Sequence, residues 1–219
     1  MTGRVFEIML TSFWRILLPG LIYTIPLTLI SFSLGLLIAI VTALLQVAEV
    51  KVLRQLCRFY VWVFRGTPLL VQLFIIFYGL PAIGIRLSAI PSAIVAFSLN
   101  VGAYASETIR ASILAIPKGQ SEAAYAAGMT YTQTMANVIL PQAMKNSIPP
   151  LFNTFISLVK DTSLASNITV VEMFMATQRI VARTYEPLAL YIEVAFIYLM
   201  FCTILSRLQG LMEKKLKIA

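Results

Sequence analysis

The stretch from Leu17 to Leu45 reads LLPGLIYTIPLTLISFSLGLLIAIVTALL and carries no charged residue. A helix needs roughly 20 predominantly apolar residues to cross the hydrocarbon core of a bilayer. This run is long enough to cross with tilt to spare. Gly20, Pro26 and Gly35 suit a helix that packs closely on its neighbours or bends inside a bundle. The whole chain of 219 residues shares this character: 59% is hydrophobic and 12% charged, with a mean hydropathy of +0.88. A soluble domain carries about 25% charged residues. The composition therefore reads as an integral membrane protein with one polytopic domain over residues 1–219. The opening MTGRVFEIML does not read as a cleaved signal peptide, because Glu7 interrupts it and no small-residue cleavage site follows.

The formal net charge is +8. In a soluble protein that excess points to nucleic acid; here cytoplasmic loops rich in Lys and Arg explain it, and no nucleic-acid partner is expected. The chain has no histidine, which excludes Ser–His and Cys–His nucleophiles, histidine-ligated metals and the usual histidine proton relay. Cys57 and Cys202 stand far apart and form no metal or redox motif.

Four further spans are expected, at about Phe59–Leu80, Ser92–Leu114, Ser147–Ala165 and Leu188–Leu205. The second contains FRGTPLLVQLF, in which Gly66 and Pro68 disturb the helix, since proline lacks a backbone donor. Pro149 and Pro150 are expected to break the fourth. The segment from about Asn167 to Pro187 is more polar and reads as an interfacial helix or a weak re-entrant piece. With five spans, the basic groups Lys51, Arg54 and Arg58, then Arg110, Lys118 and Lys145, then Arg207, Lys214, Lys215 and Lys217 fall on one side. That side is cytoplasmic by the positive-inside rule, which puts the N-terminus outside and the C-terminus in the cytoplasm.

One segment on that side is wet. SEAAYAAGMTYTQTMANVILP, residues 121–141, follows Pro117, which suits a first helical turn. A short helix is expected over Lys118–Ala127, with Gly128 as its C-terminal cap. Thr130 and Gln133 have the spacing of a capping box, so a second helix starts there and runs to Leu140. Pro141 then turns the chain back toward the membrane. Two capped helices too small for a core of their own must dock on something, and the small residues Ala123, Ala124 and Gly128 let another backbone approach.

The spacing Glu122-Ala123-Ala124, Gly128, Val138, Leu140-Pro141 resembles the EAA loop of binding-protein-dependent ABC transporter permeases, with Val138 where isoleucine is usual. FRGTPLLVQLF and SLVKDTSLAS (157–166) are similar to signatures of the polar amino acid subgroup, and in detail the sequence resembles permeases for cystine and related amino acids. The resemblance implies a type I importer (MetI-like) permease fold in a prokaryotic plasma (inner) membrane. It further implies a second permease copy, identical or paralogous, and an extracytoplasmic amino-acid-binding protein. Glu122, Ala123, Ala124, Gly128, Leu140 and Pro141, within a loop of about 117–141, would seat in ABC ATPase subunits. Those partners would bind ATP and Mg; this chain is expected to bind no cofactor, having no G-x-x-x-x-G-K-[ST].

Charged groups at membrane depth cost roughly 2.5–3.5 kcal/mol each on insertion scales. Lys160 and Asp161 are neighbours, so on a helix they face different partners. Thr162, Ser163, Ser166 and Asn167 favour a helix break, because their side chains compete for backbone hydrogen bonds. Broken helices at depth line cavities. Asp161 can accept from a substrate ammonium. N–H groups near Gly66 and Thr67 can donate to its carboxylate, with Arg65 a rival donor. Asn100 can bond either end. Leu69, Tyr104, Leu158 and Ser163 complete the expected lining. Thr154 stands seven residues before Asp161 on the same face. By resemblance, relatives that carry cationic amino acids place a carboxylate there, so Thr154 argues against a strongly basic substrate. Glu107 is expected to pair with Arg110. Glu193 faces either the bundle or a partner subunit.

Two other classes compete. A stand-alone secondary transporter calls for internal repeats or a carboxylate cluster for its coupling ion; an intramembrane enzyme calls for a catalytic pair. Neither pattern is visible in the sequence.

Overall fold

The computed structural model describes residues 2–47 and 50–218, and nearly all of them are helical. Met1, Ala48, Glu49 and Ala219 lie outside the described residues, as do the side chains of Thr2, Leu216, Lys217 and Ile218. The first helical stretch comprises α1 (Thr2–Pro19), a π-turn at Gly20–Thr24 and α2 (Ile25–Val47). Its continuous part, Gly3–Val47, has 45 residues. At 1.5 Å per residue this is about 68 Å, far longer than a hydrocarbon core of about 30 Å. The span read from Leu17 to Leu45 is thus the apolar portion of a longer helix. The widened turn lies between Pro19 and Pro26, and the Ile25 N–H reaches back to Gly20 O. A π-turn accommodates proline without ending the helix.

After α2 come α3 (Lys51–Gly66) and α4 (Leu69–Phe74), the latter extended by a π-turn at Ile75–Gly79 and a 3₁₀ turn at Leu80–Ile83. These are not one straight crossing: Lys51–Gly66 and Leu69–Ile83 meet at 106°. Lys51, Arg54 and Arg58, expected in a loop, stand on α3. Then follow α5 (Ala89–Leu114), α6 (Lys118–Ala126), α7 (Tyr131–Thr134), a π-turn at Met135–Ile139, and α8 (Leu140–Asp161). A 3₁₀ helix at Thr162–Ile168, α9 (Met173–Thr184) and α10 (Pro187–Ile218) complete the order.

Among the described residues, Gly3–Val47, Ala89–Leu114 and Pro187–Lys215 are long and apolar enough to cross a membrane, and the bent pair brings the total to four. The fourth expected span lies in α8 and falls short on apolarity. Two proline readings are corrected here. Pro149 and Pro150 do not break α8, which runs through both. Nor does Pro141 turn the chain back, because α8 continues through it. The π-turn before it, closed by the Leu140 N–H on Met135 O, widens the helix where the ring needs room.

Two apolar clusters hold the molecule together. The larger joins α2, α4, α5 and α8 through Leu27, Leu73, Phe97, Val101 and Leu158. Its closest pairing, α2 on α5, relies on small residues: a Cβ at Gly35 would stand 2.7 Å from Val101, and one at Gly102 would stand 2.7 Å from both Ile38 and the Tyr60 hydroxyl. Backbones this near need glycine at the contact. The smaller cluster seats Ile16 of α1 against Met173 of α9 and Val194 and Ile197 of α10. Beside it Ser12 donates to Glu193 Oε2 at 2.6 Å. Glu193 therefore faces the bundle, which decides the alternative left open by the sequence.

Candidate functional site

The break at FRGTP opens the main cavity. Arg65 and Gly66 end α3, Thr67 is extended, and Pro68 caps α4. The frayed backbone is not left unpaired. Gln72 Nε2 donates to Phe64 O (2.8 Å), Thr67 O (3.0 Å) and Thr67 Oγ1 (2.9 Å), while Thr67 Oγ1 donates to Val63 O (2.8 Å). On its other side, Gln72 Oε1 accepts from Asn100 Nδ2 at 3.0 Å. The break frees these carbonyls from the helical ladder, and Gln72, itself buried, pairs them and braces the break. Sequence reading missed it. The available signal was an amide in an otherwise apolar run, four residues past a proline.

Opposite this break stands α8 and its polar end. The α-helix stops at Asp161, and the next turns are tightened by side chains that bond their own backbone. Thr162 Oγ1 donates to Val159 O (2.7 Å), Ser163 Oγ to Lys160 O (2.7 Å), Ser166 Oγ to Ser163 O (2.6 Å) and Asn167 Nδ2 to Leu164 O (3.0 Å). Such bonds compete with the α-helical ladder, which is why the expected break occurs here.

Between the two breaks lies a cavity of about 480 Å³ whose walls come from the Thr67–Leu69 turn, α5, α8 and Leu164. Thr67, Leu69, Asn100, Tyr104, Thr154, Leu158 and Asp161, named from the sequence, line it together. Gly66 and Ser163 do not. Ser163 instead opens, with Lys160, Phe174 and Tyr198, onto a separate groove of about 700 Å³ beside α10. Lys160 and Asp161 thus face different spaces. Asn153 and Ser157, which sequence reading passed over, add polar groups to the main cavity, and Asn153 Oδ1 also accepts from Gln209 of α10 at 3.0 Å.

Among the described residues, Asp161 is the only charged one on the wall of this cavity. It makes neither an ion pair nor a hydrogen bond among the described residues. Arg65, the rival donor, is not on the wall: its guanidinium lies 5.3 Å from the centre of the Tyr104 ring and 3.8 Å from Glu107. Glu107 takes Arg110 at 2.7 Å, the intrahelical pair the spacing implies.

The wet segment forms a helix–turn–helix. Gly128 has φ +83° and closes α6, with its N–H on Tyr125 O. Thr130 and Gln133 make the reciprocal capping box. Gln142 of α8 reaches Gln120 of α6 at 3.3 Å. Ala124, Thr134 and Ile139 are buried against the body, whereas Glu122, Ala123, Tyr125, Gly128 and Tyr131 face outward. Leu140 is half-buried and Pro141 exposed.

A helical bundle with broken helices around a polar cavity is the architecture of a membrane permease. Residues 34–218 match the family described as "Binding-protein-dependent transport system inner membrane component", and the chain belongs to that family. It is 56% identical over 216 residues to the L-cystine transport system permease protein TcyB of Bacillus subtilis (strain 168), covering 98% of this chain and 92% of that protein. It is 38% identical over 202 residues to the arginine transport system permease protein ArtQ of the same organism, covering 92% of each. Among solved structures, an amino acid ABC transporter described with histidines superposes with a TM-score of 0.89 at 35% identity, over 94% of this chain and 96% of the other. The inward-facing MetNI methionine ABC transporter shares the fold at a TM-score of 0.70 and 18% identity, over 99% of each chain.

Proposed function

We propose that this chain is the membrane-spanning subunit of an ATP-driven, binding-protein-dependent importer of a polar amino acid, with cystine or a close analogue as substrate, working by alternating access. The observation that carries the reading is the unpaired Asp161 carboxylate on the wall of a 480 Å³ polar cavity. A zwitterion needs an acceptor for its ammonium and donors for its carboxylate. Asp161 supplies the first. The free N–H groups at the start of α4, with Thr67, Asn100 and Asn153, supply the second. The identity to a cystine permease supports the substrate class.

The remaining parts follow the same reading. Residues 1–219 form one permease domain of five spans in a prokaryotic plasma membrane, N-terminus outside and C-terminus cytoplasmic, with the bent α3–α4 unit as the second span and α8 as the fourth. The exposed face of α6 around Glu122, Ala123 and Gly128 seats in an ABC ATPase, which binds ATP and Mg. An external binding protein delivers the amino acid to a pair of permease copies, and the chain itself binds no cofactor.

The test is uptake into lipid vesicles by the chain with and without its ATPase and binding protein. ATP-dependent uptake that needs all components is expected. Uptake by the isolated chain, driven by an ion gradient, would mark a secondary transporter instead. Asp161→Asn is expected to abolish substrate-stimulated ATP hydrolysis while the complex still assembles; unchanged stimulation removes Asp161 from the site.

A further inference from the structure

A second polar cavity of about 250 Å³, separate from the main one, is formed where α2 ends beside α3 and α5. Its wall carries Arg58, Arg65, Arg110, Glu107, Gln46 and Trp62. Three guanidiniums face one carboxylate, an excess of two positive charges. Glu107 is already engaged by Arg110 and Arg65, and Arg58 has no ion-pair partner among the described residues. Gln46 is 8% exposed and lines the same cavity; its Nε2 points toward the Glu107 carboxylate without closing a well-formed hydrogen bond. Surplus guanidiniums, with a buried amide beside them, are the donor set that suits an anionic oxygen group, phosphate above all.

The rim identifies what carries that group. Trp62 is 71% exposed, and Phe59 packs against it with ring centres 5.9 Å apart. Leu56, Phe59 and Trp62 make a continuous exposed apolar face along α3, immediately beside the cavity. A soluble anion has no use for such a surface. An amphiphile does: its phosphate enters the cavity and its chains lie along the aromatic and aliphatic face. Aromatic residues flanked by arginine are also what a helix presents at headgroup depth.

We propose that the cavity between α2, α3 and α5 is a binding site for an anionic phospholipid, with Arg58, Arg110 and Gln46 Nε2 on the headgroup phosphate and Trp62 and Phe59 against the acyl chains. Arg65 of this cavity lies over the ring of Tyr104, which lines the main cavity, so the two cavities are neighbours through that pair.

The experiment is native mass spectrometry of the assembled complex, offered phosphatidylglycerol or phosphatidylcholine with the same acyl chains. Wild type is expected to retain the anionic lipid over the zwitterionic one. Arg58→Gln should cut that preference about fivefold, the effect expected of a basic residue at an anionic surface. Arg58→Lys, which keeps the charge, should hold most of it, and Arg86→Gln, an exposed cation in another loop, should change nothing. Equal retention of the two lipids by wild type overturns the proposal, as does an undiminished preference in Arg58→Gln. Displacement of the lipid by millimolar inorganic phosphate alone would show a site for free anions and overturn it equally.

Discussion

Asn100 on α5 donates to Gln72 Oε1 on α4 at 3.0 Å, and the same Gln72 holds the carbonyls of Phe64 and Thr67 on the far side of the broken helix. One amide therefore ties the break to the opposite wall of the main cavity. Gln72→Leu preserves much of the volume but leaves two carbonyls and the Asn100 amide unpaired. A loss of about 1–3 kcal/mol is expected, read as a lower unfolding midpoint in detergent, together with weaker substrate stimulation of ATP hydrolysis as Thr67 and Asn100 lose register. An unchanged midpoint would mean that water replaces Gln72 and that the break holds itself open.

Thr154 and Asp161 line the same cavity from the same face of α8, two turns apart. A second carboxylate there would favour a second positive charge on the substrate. Thr154→Asp is expected to let lysine or arginine compete for substrate-stimulated ATP hydrolysis where wild type ignores them. If the ranking of competing amino acids stays as in wild type, Thr154 does not face the transported molecule.

The sequence was informative where chemistry is local. The capping box at Thr130 and Gln133, the cap at Gly128 and the side-chain-driven break after Asp161 depend on residues within a turn of one another, and each is found where it was expected. The proline readings failed because they treated each proline as a local stop. Pro141 sits beside a π-turn, and Pro149 and Pro150 lie in a helix held by α5 and by Gln209 of α10, so packing decides the outcome. The size of the bend in the second span was out of reach for a related reason. Gly66 and Pro68 announce a disturbance, but the angle of 106° depends on contacts that periodicity does not encode. Gln72 was missed because its partners span the break. Ser163 was assigned to the main cavity because sequence proximity to Asp161 does not tell which way a 3₁₀ turn points its side chains.

Gly128 carries φ +83° on the exposed face of the helix–turn–helix. Asn and Asp tolerate this left-handed conformation better than other side chains, so they give a matched pair that separates strain from docking. Gly128→Asn is expected to keep part of the transport rate. Gly128→Asp, of nearly the same shape, places a charge against the partner and should lose ATPase binding while the chain still inserts and folds. Equal transport by the two variants would refute a docking surface at this turn.

Glu172 is fully buried at the start of α9, outside the expected spans, and ties α9 to α10. Its carboxylate accepts from Phe174 N–H (2.8 Å), Met175 N–H (2.8 Å) and the Tyr198 hydroxyl of α10 (3.0 Å). Glu172→Ala removes the cap and strands these donors, with an expected loss of about 1–3 kcal/mol. Burial pushes the Glu172 carboxyl above the usual carboxylate range, and the three donors pull it only part of the way back. A group whose pKa is higher folded than unfolded binds its proton more tightly in the folded state. Its contribution is therefore fully present below the unfolded value of about 4.3 and is lost as pH rises through the folded value. The wild-type unfolding midpoint should accordingly carry a component that falls as pH rises above the unfolded value, and Glu172→Gln, which cannot ionise, should lack it. The midpoint of wild type minus that of Glu172→Gln is then most positive at the acidic end and decreases as pH rises. Parallel pH curves for the two proteins would mean that Glu172 keeps its ordinary acidity in the folded chain.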